Sequence, residues 1–197
     1  MLSMHEIARG AVAQIPPSGR LSEDDRQVIL RHREELLALG PEVVQSYYDT
    51  VFGHPETAAA YENQERPELE ATLAKWWVRT IEGPLDDDYF AWMAMVGLTH
   101  VLRQVTNPMM LAMSDHVVQL VSVRAAGFGI SADELRQLNS AVTRLASTVR
   151  VIITWGYDHA VSAALFEVAG MPEALLARLR DQEIANALVE ARSSLSL

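Results

Sequence analysis

YFAWMAMVGLTHVLRQVTNPMMLAM, residues 89 to 113, is the stretch on which the fold turns. Its first part has the apolar spacing of an amphipathic helix. A break falls at Asn107-Pro108, because proline lacks an N–H and disfavours helical geometry in the residue before it. Tyr89, Met93, Val96 and His100 follow one another at steps of four, three and four, so they share one helical face. That face directs His100 toward the protein interior. The commoner explanation for such a histidine is a hydrogen-bonded core residue. The other is ligation of haem iron, since neutral imidazole is the usual way a helical protein holds that metal.

Working outward toward the N-terminus, LDDD (Leu85 to Asp88) supplies the carboxylates that suit a helix start. Gly83-Pro84 closes the helix before it, which Pro67 opens at its first turn and whose inward face reads Leu69, Thr72, Leu73, Trp76 and Thr80. Further upstream, a helix from Pro41 to about Phe52 carries Val44, Tyr47, Tyr48 and Val51, and a short one follows at Pro55. Ser22 and Asp25 have capping-box spacing and start a helix expected to run to Leu39, where Gly40-Pro41 stops it. Residues 3 to 14 form a short helix ahead of the turn-rich IPPSG.

Toward the C-terminus, a helix runs from Pro108 to about Ala126 and ends in Gly127-Phe128-Gly129. Ser131 and Glu134 cap the next, a long element expected over 132–168. Leu135, Leu138, Val142, Leu145, Val149, Ile152 and Gly156 give it a seam of alternating three and four spacings. At 1.5 Å per residue it would reach roughly 55 Å, more than one small domain needs, so part of it is expected to serve a partner. After Gly170-Met171-Pro172 comes a last amphipathic helix and a frayed SSLSL end. No strand-like alternation occurs anywhere. The fold class is all-α.

Composition narrows the function. A net charge of -10, with Lys75 as the single lysine, argues against nucleic acid or an anionic membrane surface as a partner. With no cysteine there is no disulfide, thiolate metal site or covalently attached haem. No signal peptide or membrane-length apolar run is read, which leaves the cytoplasm as the expected location. None of the six histidines follows a glutamate by three residues, which sets aside a ferritin-like di-iron centre. Zinc-hydrolase motifs, glycine-rich phosphate loops and nucleophile elbows are missing as well, so no enzymatic activity is expected.

Three matches in fixed order resemble the globin-coupled sensor and protoglobin family of haem proteins. SYYDTVFGHPE (Ser46 to Glu56) is similar to the family's aromatic pair, acid and His-Pro. LEATLAKWWVRTIEGPLDDDY (Leu69 to Tyr89) is similar to its helix with a central aromatic, then glycine and an acidic start. VGLTHVLRQVTNPMM (Val96 to Met110) resembles its Gly-x-x-His followed by a proline and an aromatic pair.

The resemblance implies a globin-like fold with an extra N-terminal helix and a C-terminal helical extension. The expected divisions are residues 1–19, a globin-like sensor domain over 20–168, and 169–197. It implies haem b, with His100 as the proximal iron ligand, Tyr48 as the distal hydroxyl donor and Thr72 as a neighbouring polar residue. Val44, Val51, Leu69, Trp76, Met93, Val96 and Met110 are the expected remaining contacts to the cofactor. It also implies a diatomic gas ligand (O₂, NO or CO), a homodimer through the 132–168 helix, and a separate signalling partner or an independent gas-binding role. The chain departs from the pattern at Met109-Met110, where the family has aromatics, so what holds the second ring nitrogen of His100 is open. The alternative is a haem-free globin-like helical module acting through protein–protein contacts.

Overall fold

Short-range capping chemistry starts half of the ten α-helices among the described residues. Ser22 Oγ accepts from Asp25 N–H at 3.1 Å while the Asp25 carboxylate accepts from Ser22 N–H at 2.9 Å, closing the box expected there. Ser131 and Glu134 repeat the exchange at 3.2 and 2.9 Å, and Asp86 accepts from Tyr89 N–H at 2.9 Å. The structure, a computed structural model, describes residues 2–194. Its helices are α1 (Met4–Ala13), α2 (Glu23–Arg31), α3 (Arg33–Ala38), α4 (Gly40–Gly53), α5 (Pro55–Ala59) and α6 (Arg66–Glu82). They continue with α7 (Asp87–Leu102), α8 (Asn107–Ala125), α9 (Ala132–Ala169) and α10 (Glu173–Ser194). No strand occurs among the described residues, so the protein is all-α. Of the expected frayed end, Ser193 and Ser194 belong to α10 and residues 195–197 lie outside the described residues.

One boundary differs from the expectation. The helix expected to run from Ser22 to Leu39 divides at His32, which is buried and leaves helical geometry with φ -103° and ψ 21°. Gly40-Pro41 falls at the junction expected there: α3 ends at Ala38, and Pro41 sits in the first turn of α4, where proline is tolerated. Likewise α7 ends before the proline. Gln104 takes a positive φ of 59°, Thr106 caps α8, and Pro108 sits within its first turn.

Among the described residues, 2–157 form one compact unit and 158–194 belong to another. In the first, α1 packs along α7, and α4 lies against both α6 and α8. Ile7, Ala8 and Ala11 of α1 join Tyr89, Met93 and Ala94 of α7 and Leu138, Leu145 and Ile152 of α9 in the main core. Small residues mark the closest crossings. A Cβ on Gly97 would stand 3.1 Å from Ile153 Cα, and one on Gly10 would meet the Trp155 ring at 2.9 Å. Buried Asp25 takes the Arg144 guanidinium at 2.7 Å and so ties α2 to α9.

The α9 seam is therefore intramolecular. Leu138, Leu145 and Ile152 are buried in this core, with Leu135, Val142 and Val149 packed against it. Gly156 comes close enough that a Cβ would lie 3.3 Å from Ile7. The homodimer surface expected along residues 135–156 is thus used within the chain, because heptad-like spacing marks any helix packed lengthwise on neighbours. The second unit is different in kind: Phe166, Ile184, Leu188 and Val189 are exposed there. Among the described residues no single helix is long and apolar enough to cross a membrane.

Candidate functional site

His100 occupies the last turn of α7. A helix C-terminus favours the charged imidazolium, typically by 0.3–1 kcal/mol. Burial outweighs that here. Loss of solvent, then the positive charge of Arg103, lowers the His100 pKa from 6.5 to about 4, so the ring is neutral at pH 7. Neither ring nitrogen has a hydrogen-bond partner among the described residues, and Nδ1 is fully buried. A satisfied core histidine would show a bond at that atom. Methionine at 109 and 110 supplies no strong acceptor, so the departure noted in the sequence coincides with the missing bond.

The backbone ties this histidine to an apolar cluster. Val105 N–H donates to His100 C=O at 3.0 Å across the bend that Gln104 makes, and the Val105 side chain is buried. Val105 belongs to a cluster with Val44, Tyr48, Val51, Tyr61, Leu69, Met110, Met113 and Ile153. Arg103 acts on three titratable groups at once, lowering the proton affinity of His100, Tyr48 and Tyr61. Arg103 thus lies within electrostatic reach of the histidine and of both tyrosines.

Five of the expected site residues, Val44, Tyr48, Val51, Leu69 and Met110, are buried together in this cluster. Met93 lies instead in the main core, with Trp76 and Val96 packed against it. Trp76 Nε1–H points at Met93 Sδ from 3.4 Å. Thr72 departs from its expected place. It is exposed, and its hydroxyl donates to Glu68 C=O of its own helix at 2.9 Å. The inward face of α6 is set by Leu69, Trp77 and Thr80, a register that leaves position 72 outside. Trp77, not singled out from the sequence, is buried and donates to Leu36 C=O at 2.9 Å.

The hydroxyl of Tyr48 is engaged. It donates to Leu69 C=O at 3.0 Å, and burial raises its pKa. Tyr47 stands edge-on to it at 5.1 Å, and burial, with a hydrogen bond to Tyr61 among the lesser causes, raises the Tyr47 pKa. Tyr61 completes the aromatic group 6.4 Å from Tyr48. Sequence reasoning missed Tyr61 because it lies in the turns after α5, where no helical periodicity marks an inward face. Val105, Met113 and Ile153 were missed too, although Met113 follows Met110 at a helical spacing of three.

The profile of the Protoglobin family matches residues 19–161. The chain belongs to that family. Among solved structures, the globin domain of the Geobacter sulfurreducens globin-coupled sensor is similar, with a TM-score of 0.65 and 22% identity over 80% of this chain and 99% of that one. The globin domain of E. coli DosC matches in its ferric form with a TM-score of 0.57 and 13% identity, over 77% of this chain and 97% of that one. Its ferrous form matches at 0.55 and 12%, over 79% and 98%. No match was found among curated proteins. The protoglobin fold thus accounts for α2 through most of α9, and membership places this chain among haem-binding globins.

The residues present suit the family's cofactor. A neutral, largely buried imidazole with both nitrogens free is the form that ligates iron, and the adjacent cluster is apolar. Among the described residues no group of three or more His, Asp or Glu side chains could hold a bare metal ion.

Proposed function

We propose that this protoglobin binds haem b through His100 and takes up a diatomic gas for sensing. The single observation that carries the reading is the buried Nδ1 of His100, left without a hydrogen bond on a ring kept neutral by burial. An unpaired buried polar atom costs about 1–3 kcal/mol, which favours a role for this ring other than a core contact. Haem is held non-covalently in this reading, since the chain has no cysteine to form a thioether.

When bound, haem supplies an iron site at which a small gas attaches. The chain's own residues do the rest. His100 orients the group from the end of α7, and the buried side chains of Val44, Val51, Leu69 and Met110 exclude water. Tyr48 is proposed as the distal donor, which requires its hydroxyl to turn from Leu69 C=O toward the ligand. That exchange replaces one hydrogen bond by another and so lets the tyrosine report whether a polar ligand is present. The rings of Tyr47 and Tyr61 pack beside that of Tyr48, which makes these two tyrosines the alternative donors in this reading.

The same proposal includes a homodimer. Exposed Phe166, Ile184, Leu188 and Val189 on residues 158–194, rather than the seam, offer apolar surface to a second copy. Sedimentation equilibrium tests this, and a monomer at every concentration removes it. A separate protein partner would receive the signal in this account. Titrating haem-free protein with haemin tests the core of the reading. One equivalent per chain with an intense Soret band supports it, and non-stoichiometric, featureless uptake supports a haem-free helical module instead.

A further inference from the structure

A cavity lies away from His100. It has a volume of about 310 Å³ and is walled by α1, the segment at Arg20-Leu21, the N-terminal part of α7 and Thr148 of α9. Three arginines, Arg9, Arg20 and Arg26, line it in a chain of net charge -10 that has only 16 cationic side chains. A cluster of like charges costs energy unless an anion offsets it.

Each of the three guanidiniums keeps N–H groups that no described residue takes up. Arg20 is held by backbone carbonyls alone, Nε to Ile15 C=O at 2.8 Å and Nη2 to Ala13 C=O at 3.4 Å, so it is fixed in place with its charge uncompensated. Arg26 gives Nη1 to Glu23 at 3.2 Å, and its Nε is buried with no acceptor. Arg9 makes no hydrogen bond or ion pair among the described residues. Against them stand Asp87 in the lining, Glu23 on Arg26 and Glu6, whose carboxyl feels the charge of Arg9, while Arg20 has no carboxylate partner among the described residues; His5 on the rim is engaged by Asp88 at 2.9 Å. Val12 and Phe90 add apolar wall.

We propose that this cavity binds a small organic anion bearing phosphate or carboxylate groups. Planar guanidinium forks match both groups in bidentate fashion. The volume suits a compact ligand, at the lower end of the ~300–1,000 Å³ typical of small-molecule sites. Asp87 and His100 lie thirteen residues apart on α7, roughly 20 Å along the helix, so the site is separate from the haem position.

Isothermal titration of the full chain with pyrophosphate and with citrate, at matched ionic strength in chloride, tests the proposal with or without haem bound. It therefore stands or falls independently of the haem reading. Saturable one-to-one binding of at least one probe is expected. Arg9→Gln with Arg26→Gln should weaken it roughly tenfold or more while leaving the circular dichroism spectrum intact, because two charge-assisted bonds are lost. If the double variant does not fold, Arg9→Gln alone, at an exposed side chain without a hydrogen bond among the described residues, must still weaken binding. Binding of pyrophosphate only assigns a phosphate ligand, and of citrate only a carboxylate one. No saturable binding of either probe, or equal binding by the variants, overturns the proposal.

Discussion

Replacing Gly97 by alanine sets two effects of known size against each other. Glycine inside a helix costs about 1 kcal/mol relative to alanine, so propensity alone makes Gly97→Ala stabilising. Packing opposes it. The new Cβ would stand 3.1 Å from Ile153 Cα, 3.3 Å from Ile153 C=O and 3.4 Å from Ile153 Cγ2. Carbon pairs prefer roughly 3.5–4.0 Å, and the obstacle is the backbone of a buried helix rather than a side chain that can swing away. α7 and α9 must separate by several tenths of an ångström, and such overpacking costs typically 1–3 kcal/mol. The net expectation is a loss of about 1 kcal/mol. Because His100 lies one turn beyond Gly97, haem affinity should drop with stability. Urea unfolding of the haem-free protein measures the first and haemin titration the second. Gly53→Ala, whose Cβ meets nothing within 4 Å, is the control and should not destabilise by the packing route. A Gly97→Ala protein about 1 kcal/mol more stable than the parent, with unchanged haem affinity, would refute the claim that this crossing positions His100.

Further outcomes follow from the same geometry. Tyr48→Phe removes the bond to Leu69 C=O, worth about 1 kcal/mol of stability, and should speed O₂ dissociation several-fold; an unchanged rate beside a large change in Tyr61→Phe moves the donor role to Tyr61. Thr72→Ala should alter neither stability by more than about 0.5 kcal/mol nor gas binding, as measured by unfolding and ligand dissociation. The folded-state pKa of His100 lies at about 4 against 6.5, so the unfolded chain binds the extra proton between these values. Stability is then fully present above 6.5 and falls as pH drops toward 4, by about 3 kcal/mol, with haem release in the same direction. Urea midpoints at pH 7 and 4.5 check this, and parallel losses in His100→Ala would contradict it. Leu145→Glu buries a charge in the main core and should unfold the protein; a folded monomer would show the seam to be a surface after all.

What the sequence disclosed was mostly what local chemistry determines. Ser22 with Asp25, Ser131 with Glu134 and the acidic start before Tyr89 each act within one turn, so their spacing alone places a helix start. The α7 face was legible for the same reason, with Tyr89 and Met93 fully buried where periodicity put them. Tertiary demands escaped it. His32 breaks a continuous helical pattern at a buried joint between α2 and α3, and no neighbour in sequence announces that. Thr72 was read inward on α6 with Leu69, Trp76 and Thr80, yet it alone of these is exposed, at the solvent edge of the face that Leu69, Trp77 and Thr80 bury. The α9 stripe was visible, but spacing does not say which helices cover it, and here they belong to the same chain. Tyr61 came to the aromatic group through a turn, where periodicity carries no information.

The central claim is that His100 holds haem in this protoglobin. The most direct measurement is the haem stoichiometry and absorption spectrum of His100→Ala beside the parent, each titrated with haemin under identical conditions. The account predicts one haem per chain in the parent and an empty or loosely loaded variant whose Soret band is shifted and lost on gel filtration. A variant that keeps the parent's haem content and spectrum would contradict it.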